Sequence, residues 1–113
     1  MVNPQKGRGT RWESAVRDAL MDAGLPARRE VQRGAADVGD LSIEGLPFSI
    51  EAKDHKSIDL AAFVDQANRQ AANAGQPYGV AIVKRRRKSV TDAYVVLDLA
   101  TFIRILNDHF GDQ

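Results

Sequence analysis

Cysteine is absent, which removes disulfide staples and every cysteine-ligated zinc or iron–sulfur site and is compatible with a reducing compartment. No apolar run approaches the roughly 20 residues needed to span a bilayer. The polar start Met1-Val2-Asn3-Pro4-Gln5-Lys6 lacks the apolar stretch of a signal peptide. The expectation is a soluble, cytoplasmic protein with no membrane partner. Internal repeats, low-complexity tracts and linker-like stretches are missing too. So is a large net charge, which is only +1. With 43% hydrophobic and 27% charged residues, the chain lies outside the composition range of disordered proteins. Its 113 residues fit one domain around one core.

The near-zero net charge hides a segregation along the chain. Lys6, Arg8 and Arg11 stand in the first eleven residues without an acid, and Lys84-Arg85-Arg86-Arg87-Lys88 are five consecutive positive charges. Between Asp37 and Asp65, seven acids (Asp37, Asp40, Glu44, Glu51, Asp54, Asp59, Asp65) face only Lys53 and Lys56. An acidic centre with basic flanks suits a polyanion held around a carboxylate-bound metal ion. A solvated acidic surface beside a basic loop gives the same pattern.

Hydrophobic spacing predicts a helix from about residue 10 to residue 24, with Trp12, Ala15, Val16, Ala19, Leu20 and Ala23 on one face and Gly24 and Pro26 as the stop. Residues 1–9 are expected to form a flexible basic arm. Thr10 and Glu13 have capping-box spacing. Strands are predicted over 29–33, 40–43 and 47–53, the last two joined by a turn at Glu44-Gly45-Leu46, with the turn-rich Gly34-Ala35-Ala36 ahead of them. In the third strand Phe48, Ile50 and Ala52 alternate with Ser49, Glu51 and Lys53, giving an apolar and a polar face. A helix over 59–74, strands over 78–83 and 93–97, and a final helix over 99–109 follow. That last helix is expected to turn Phe102, Ile103, Leu106 and Phe110 inward. The order predicts an α/β fold, a mixed sheet flanked by helices.

The informative chemistry is Glu51-Ala52-Lys53 at a strand end, with Asp40 at the start of the preceding strand. Residues two apart on a strand lie about 7 Å apart on one face, and a hairpin neighbour lies about 4.8 Å across. Asp40 and Glu51 can therefore converge. Paired carboxylates repel unless a cation neutralises them, and an all-oxygen ligand set suits Mg²⁺. An ammonium such as Lys53 beside that ion could orient an attacking water and offset charge on a phosphate.

These residues resemble the PD-(D/E)xK nucleases, and among them the archaeal and RecU-type Holliday-junction resolvases. The resemblance runs from Lys6-Gly7-Arg8-Gly9-Thr10-Arg11-Trp12-Glu13, through Gly39-Asp40-Leu41-Ser42-Ile43, to Ile50-Glu51-Ala52-Lys53, and covers most of the chain. It implies a restriction-endonuclease-like αβββαβ core forming a single nuclease domain. It also implies Mg²⁺ or Mn²⁺ held by Asp40, Glu51 and the Ala52 carbonyl, with Glu13 contributing from the first helix and Lys53 as catalytic lysine. The implied activity is a structure-selective DNA endonuclease cutting a four-way junction by paired nicks. Two symmetric nicks from one site per chain call for a homodimer. Flaps, ends or duplex as substrate, or a non-catalytic DNA-binding module, are the alternatives. The sequence departs from the pattern where Gly39 replaces a proline, and Asp37 is a rival to Asp40. The alternating Leu41 and Ile43 favour Asp40.

Around this centre Lys6, Arg8, Arg11, Arg69 and the run Lys84, Arg85, Arg86, Arg87 and Lys88 are the candidate phosphate contacts. Gln66, Arg69 and Gln70 are expected on the polar, solvated face of the middle helix. His55 is expected in solvent or against DNA, and His109 at a helix C-terminus, favourable to the dipole.

Overall fold

A computed structural model describes residues 4–31 and 38–111, except for the side chains of residues 4–8. The predicted turn at 34–36 and the rival acid Asp37 lie outside the described residues. Helix α1 spans Pro4–Asp22. Proline suits the first helical turn because its missing N–H would be unsatisfied there in any case. The helix therefore takes in residues 4–9, which the spacing rule assigned to an arm. Thr10 becomes an interior position of α1, so the Thr10–Glu13 capping box does not form.

After the left-handed Gly24 (φ +89°) come β1 (Ala27–Arg29), β2 (Leu41–Ile43) and β3 (Phe48–Lys53). The first strand starts two residues earlier than predicted because Ala27, small and buried, is the residue that pairs with Ile43. Helix α2 (Leu60–Asn73) follows, with Asp59 accepting the Ala62 N–H at 3.1 Å as its N-cap. Strand β4 (Tyr78–Val83), a single 3₁₀ turn at Val90–Asp92, β5 (Tyr94–Val96) and α3 (Leu99–Phe110) complete the order.

The strands form one five-stranded mixed sheet in the order β1-β2-β3-β4-β5. Neighbours pair antiparallel except β3 and β4, which run parallel with Glu51 opposite Ala81 and Lys53 opposite Val83. The α2 crossover makes that parallel pairing possible. On one face Trp12 and Val16 of α1 pack on Leu41, Ile43, Ile50, Val80 and Ile82. On the other, Phe63 and Ala67 of α2 pack on Ala81 and Val83. Strand β4 is thus buried on both faces, which explains its unbroken apolar run. The Trp12 indole N–H donates to the Ile82 carbonyl at 3.1 Å and ties α1 to the middle of the sheet.

Helix α3 overturns one expectation. Phe102, Ile103, Leu106 and Phe110 are exposed, and only Thr101 of this helix is buried. The helix docks through polar groups. Thr101 Oγ1 donates to Asp98 at 2.6 Å, Asn68 Nδ2 donates to the same carboxylate at 3.3 Å, and the Tyr78 hydroxyl donates to Asp108. The bonds from Thr101, which contributes most, and from Asn68 lower the pKa of the Asp98 carboxyl from its ordinary value.

Helix α2 approaches β4 closely at Gly79, where a Cβ would lie 2.4 Å from the Ala67 carbonyl oxygen. Backbone, unlike a flexible side chain, cannot swing aside. Gly79→Ala is expected to cost about 1–3 kcal/mol, read as a lowered midpoint in urea unfolding with an unchanged m-value.

Candidate functional site

Glu51 and Lys53 sit on the central strand of the sheet, hydrogen-bonded on both sides, and alternation turns both toward α2. The polar face of β3 is therefore roofed and not open to water. Glu51 is 5% exposed and Lys53 8%. Lys53 Nζ lies 3.2 Å from Glu51 Oε1, donates to Gln66 Oε1, and stands 5.5 Å from the centre of the Phe63 ring. A buried ammonium in this setting has a carboxylate, an amide oxygen and an aromatic face to offset its lost hydration.

This geometry corrects the reading of α2. Gln70 is buried, and Gln66 reaches the lysine. Both share the inward side with Phe63, Ala67 and Ala71, because positions three and four apart on a helix lie on one face. Arg69 is exposed as expected. It lines, with Gln66, Gln70, Ala72 and Asn73, a depression of about 410 Å³ on α2.

Asp40 stands one step beyond the paired Leu41 and Ile50. Its own N–H donates to the Ile50 carbonyl at 2.9 Å, and its Oδ2 accepts the Ala52 N–H at 2.9 Å. That N–H projects past the end of β2, where no strand neighbour remains to receive it, so the carboxylate replaces the missing ladder partner. The approach to Asp40 depends on Gly39, whose φ is +92° and whose added Cβ would meet Ser49 Oγ at 2.5 Å. A proline, with φ fixed near −65°, does not fit this turn.

Glu13 is elsewhere. Its Oε1 accepts from Arg29 Nε at 3.3 Å and Nη2 at 3.2 Å. Arg29 pairs with Leu41, which packs against Trp12, so Glu13 meets the sheet on its α1 side while Glu51 and Lys53 occupy the α2 side. Among the described residues, no three histidine, aspartate or glutamate side chains gather into a group able to hold a metal ion. The structure brings Asp40 together with the Glu51-Ala52-Lys53 strand end and leaves Glu13 on a separate ion pair.

The basic run divides. Lys84 Nζ lies 3.7 Å from Asp54 Oδ2 and 5.8 Å from the centre of the Trp12 ring. Arg85 stacks on Tyr94 at 4.8 Å. Arg86, Arg87 and Lys88 are exposed, with Arg87 in the left-handed region at φ 63°. Because β3 and β4 run parallel, this tip emerges at the same end of the sheet as Lys53, and the Lys84 N–H donates to the Lys53 carbonyl at 2.9 Å. Arg11 is exposed on α1. The Lys6 and Arg8 side chains lie outside the described residues.

Asp54 was missed by sequence reasoning, although a signal existed. It continues the period-two series Phe48, Ile50, Ala52 onto the core face, where a charge needs a partner. His55 is exposed, with its ring 5.0 Å from that of Phe63. His109 occupies the last turn of α3, edge-on to Tyr78.

Removing one member of the Glu51–Lys53 pair leaves the other charge buried without its counter-ion. Glu51→Gln and Lys53→Met are each expected to cost about 3 kcal/mol or more, and the double variant substantially less than their sum. A double-mutant cycle in urea measures the coupling. Additive losses would mean the pair is not coupled.

Comparison with protein-family models, with curated proteins and with solved structures finds no match.

Proposed function

We propose that this chain is a divalent-metal-dependent DNA endonuclease with a PD-(D/E)xK, restriction-endonuclease-like core, acting on branched DNA with the four-way junction as its first substrate. The observation that carries this reading is the meeting of the Asp40 carboxylate with the Glu51-Ala52-Lys53 strand end, at the end of the sheet where the basic tip also emerges. The C-terminal ends of parallel strands are where α/β sheets ordinarily bind their ligands.

The donor set fits Mg²⁺ or Mn²⁺. Asp40 and Glu51 supply hard carboxylate oxygens. The Ala52 carbonyl leaves the strand on the same side as its N–H, hence beside Asp40 and past the end of β2. Such an ion, when bound, supplies Lewis-acid stabilisation of a phosphate and a lowered pKa for water. The chain's own part is to hold the two carboxylates on adjacent strands and to keep the Lys53 ammonium beside them, where it offsets charge on a phosphodiester oxygen. Gln66 orients that ammonium from α2. Glu13, held by Arg29, serves as a positioning residue for α1 on β1. Arg11, Arg69, Arg86, Arg87 and Lys88 are the cations exposed for backbone phosphates. Lys84 and Arg85 act mainly within the chain.

The near-complete burial of Glu51 and Lys53 favours a second reading, a DNA-binding module in which this ion pair is structural. The two readings separate on catalysis. Labelled junction, flap, duplex and single-stranded DNA are incubated with the protein in Mg²⁺, Mn²⁺, Ca²⁺ or EDTA. Cleavage is expected in Mg²⁺ and Mn²⁺ and not in EDTA, with binding but little turnover in Ca²⁺, whose larger and looser coordination orients reactants poorly. Asp40→Asn is expected to lower the rate roughly 10²-fold or more, with folding checked by circular dichroism. Binding without cutting in any metal would leave the module reading.

For the exposed tip, changing Arg86 and Arg87 to Ala is expected to weaken binding to junction and duplex alike. The slope of log K against log salt should flatten by about 0.9 per lost phosphate contact. Fluorescence anisotropy between 50 and 200 mM salt measures this, and an unchanged slope would remove the tip from the DNA interface.

A further inference from the structure

The turn that follows β4 holds a backbone conformation that its residue disfavours. The Lys88 N–H donates to the Arg85 carbonyl at 3.3 Å, which closes a four-residue turn with Arg86 and Arg87 at its corner. Arg87 has φ 63°. A positive φ at the second corner position belongs to turns that ordinarily place glycine or asparagine there. An arginine strains the position, because its Cβ crowds the following carbonyl oxygen. Among the described residues every other positive φ falls on a glycine. No contact within the fold accounts for the exception. The Arg87 side chain is exposed, and among the described residues none takes a hydrogen bond or ion pair from it. Backbone strain of this kind clusters where a residue is used.

The base of the turn is held from both sides. Arg85 lies over the Tyr94 ring at 4.8 Å and donates to the Asp92 carbonyl at 3.5 Å. Lys84 is drawn to Asp54 and to the Trp12 ring. Beyond the corner, Ser89 Oγ donates to the Asp92 carboxylate at 3.1 Å. Two cations of the run thus fix the mount, and Arg87 stands exposed at its corner.

We propose that Arg87 enters the minor groove of duplex DNA and reads its width, favouring A·T-rich stretches where that groove is narrow. This rests on the DNA reading of the proposed function and goes beyond the phosphate contacts assigned there. An arginine entering the groove passes between the phosphates that line it, so the salt dependence of the tip is kept. Size selects the groove. The major groove, about 12 Å wide, admits a helix or a two-stranded ribbon, whereas the minor groove is only about 6 Å wide. A tight turn spans less than about 7 Å between its end Cα atoms, and a single side chain at its corner is narrower still. Chemistry selects the sequence. A narrow A·T-rich groove concentrates negative potential, and A·T pairs lack the guanine amino group that projects into it. A guanidinium is more weakly hydrated than an ammonium and loses less on entering. The turn follows Lys84, whose N–H meets the Lys53 carbonyl at 2.9 Å, so the groove that Arg87 enters lies at the same end of the sheet as the candidate site.

Fluorescence anisotropy in EDTA, at one salt concentration, compares three duplexes of equal length. One is A·T-rich and one G·C-rich. The third is the G·C-rich sequence with inosine for guanine, which removes the minor-groove amino group and leaves the major-groove O6 and N7 in place. The wild type is expected to bind the A·T-rich duplex at least about 5-fold more tightly than the G·C-rich one, with the inosine duplex close to the A·T-rich. Arg87→Lys, which keeps the charge, and Arg87→Gly, which suits the positive φ, are each expected to lose the preference. Arg86→Ala is expected to weaken all three complexes alike and keep it. Arg87→Gly should unfold at a urea midpoint no lower than the wild type. A lowered midpoint would overturn the proposal, since the fold itself would then be using Arg87. So would equal wild-type affinity for A·T-rich and G·C-rich duplexes, an inosine duplex that binds like its G·C-rich parent, or a preference kept by Arg87→Gly. Each of these leaves the cleavage test of the proposed function standing, and failure to cleave leaves the binding preference intact. Absence of binding to any DNA would remove both.

Discussion

An ammonium and a carboxylate taken out of water lose far more hydration than a surface pair does, and they stay inside a protein only where geometry returns most of that loss. Glu51 and Lys53 set this requirement at the centre of the sheet. Their separation of 3.2 Å follows from two-residue spacing on one strand face. The rest of the surroundings comes from α2, which lowers Gln66 and Phe63 onto the ammonium. The close approach at Gly79 lets α2 lie flat enough to do so. Glycine at a sheet position, unfavourable for the strand alone, is thus explained by the helix above it.

The same sheet that buries the pair also separates the acids. Successive residues of a strand point to opposite faces, so Leu41 and Ile50 look toward Trp12 while Glu51 and Lys53 look toward α2. Glu13 descends from α1 and meets Arg29 first. Spacing along the chain contains no information on which side of a sheet a helix will pack, so three acids that read as one group divide between two faces. Asp40 stays with Glu51 because β2 begins only at Leu41, and the Ala52 N–H, left without a strand neighbour there, gives its carboxylate a backbone partner.

Helix α3 poses the complementary problem. Its amphipathic spacing states that one side is apolar, and spacing alone turns that side toward the nearest core. The chain's own core is already closed by α1 and α2. The polar contacts of Thr101, Asp108 and Arg104 with Asp98 and Tyr78 then decide the rotation of the helix about its axis. The outcome is an apolar stripe, Leu99, Phe102, Ile103, Leu106 and Phe110, left exposed on the outer side of α3.

By itself the sequence determined what depends on local periodicity. It set the order of helices and strands, the hairpin between β2 and β3, the buried strand β4, and the adjacency of Asp40 with Glu51-Ala52-Lys53. Each follows from residues close in the chain or from a period of two or 3.6. The start of α1 escaped because the apolar stripe begins at Trp12 while the helix backbone begins at Pro4. Tertiary structure alone decided that the polar face of β3 lies under α2, that Glu13 belongs to Arg29, that Lys84 and Arg85 leave the basic run for Asp54 and Tyr94, and that α3 faces outward. These are contacts between residues distant in sequence. Burial and charge pairing, which no local pattern encodes, select among the faces that the pattern makes available.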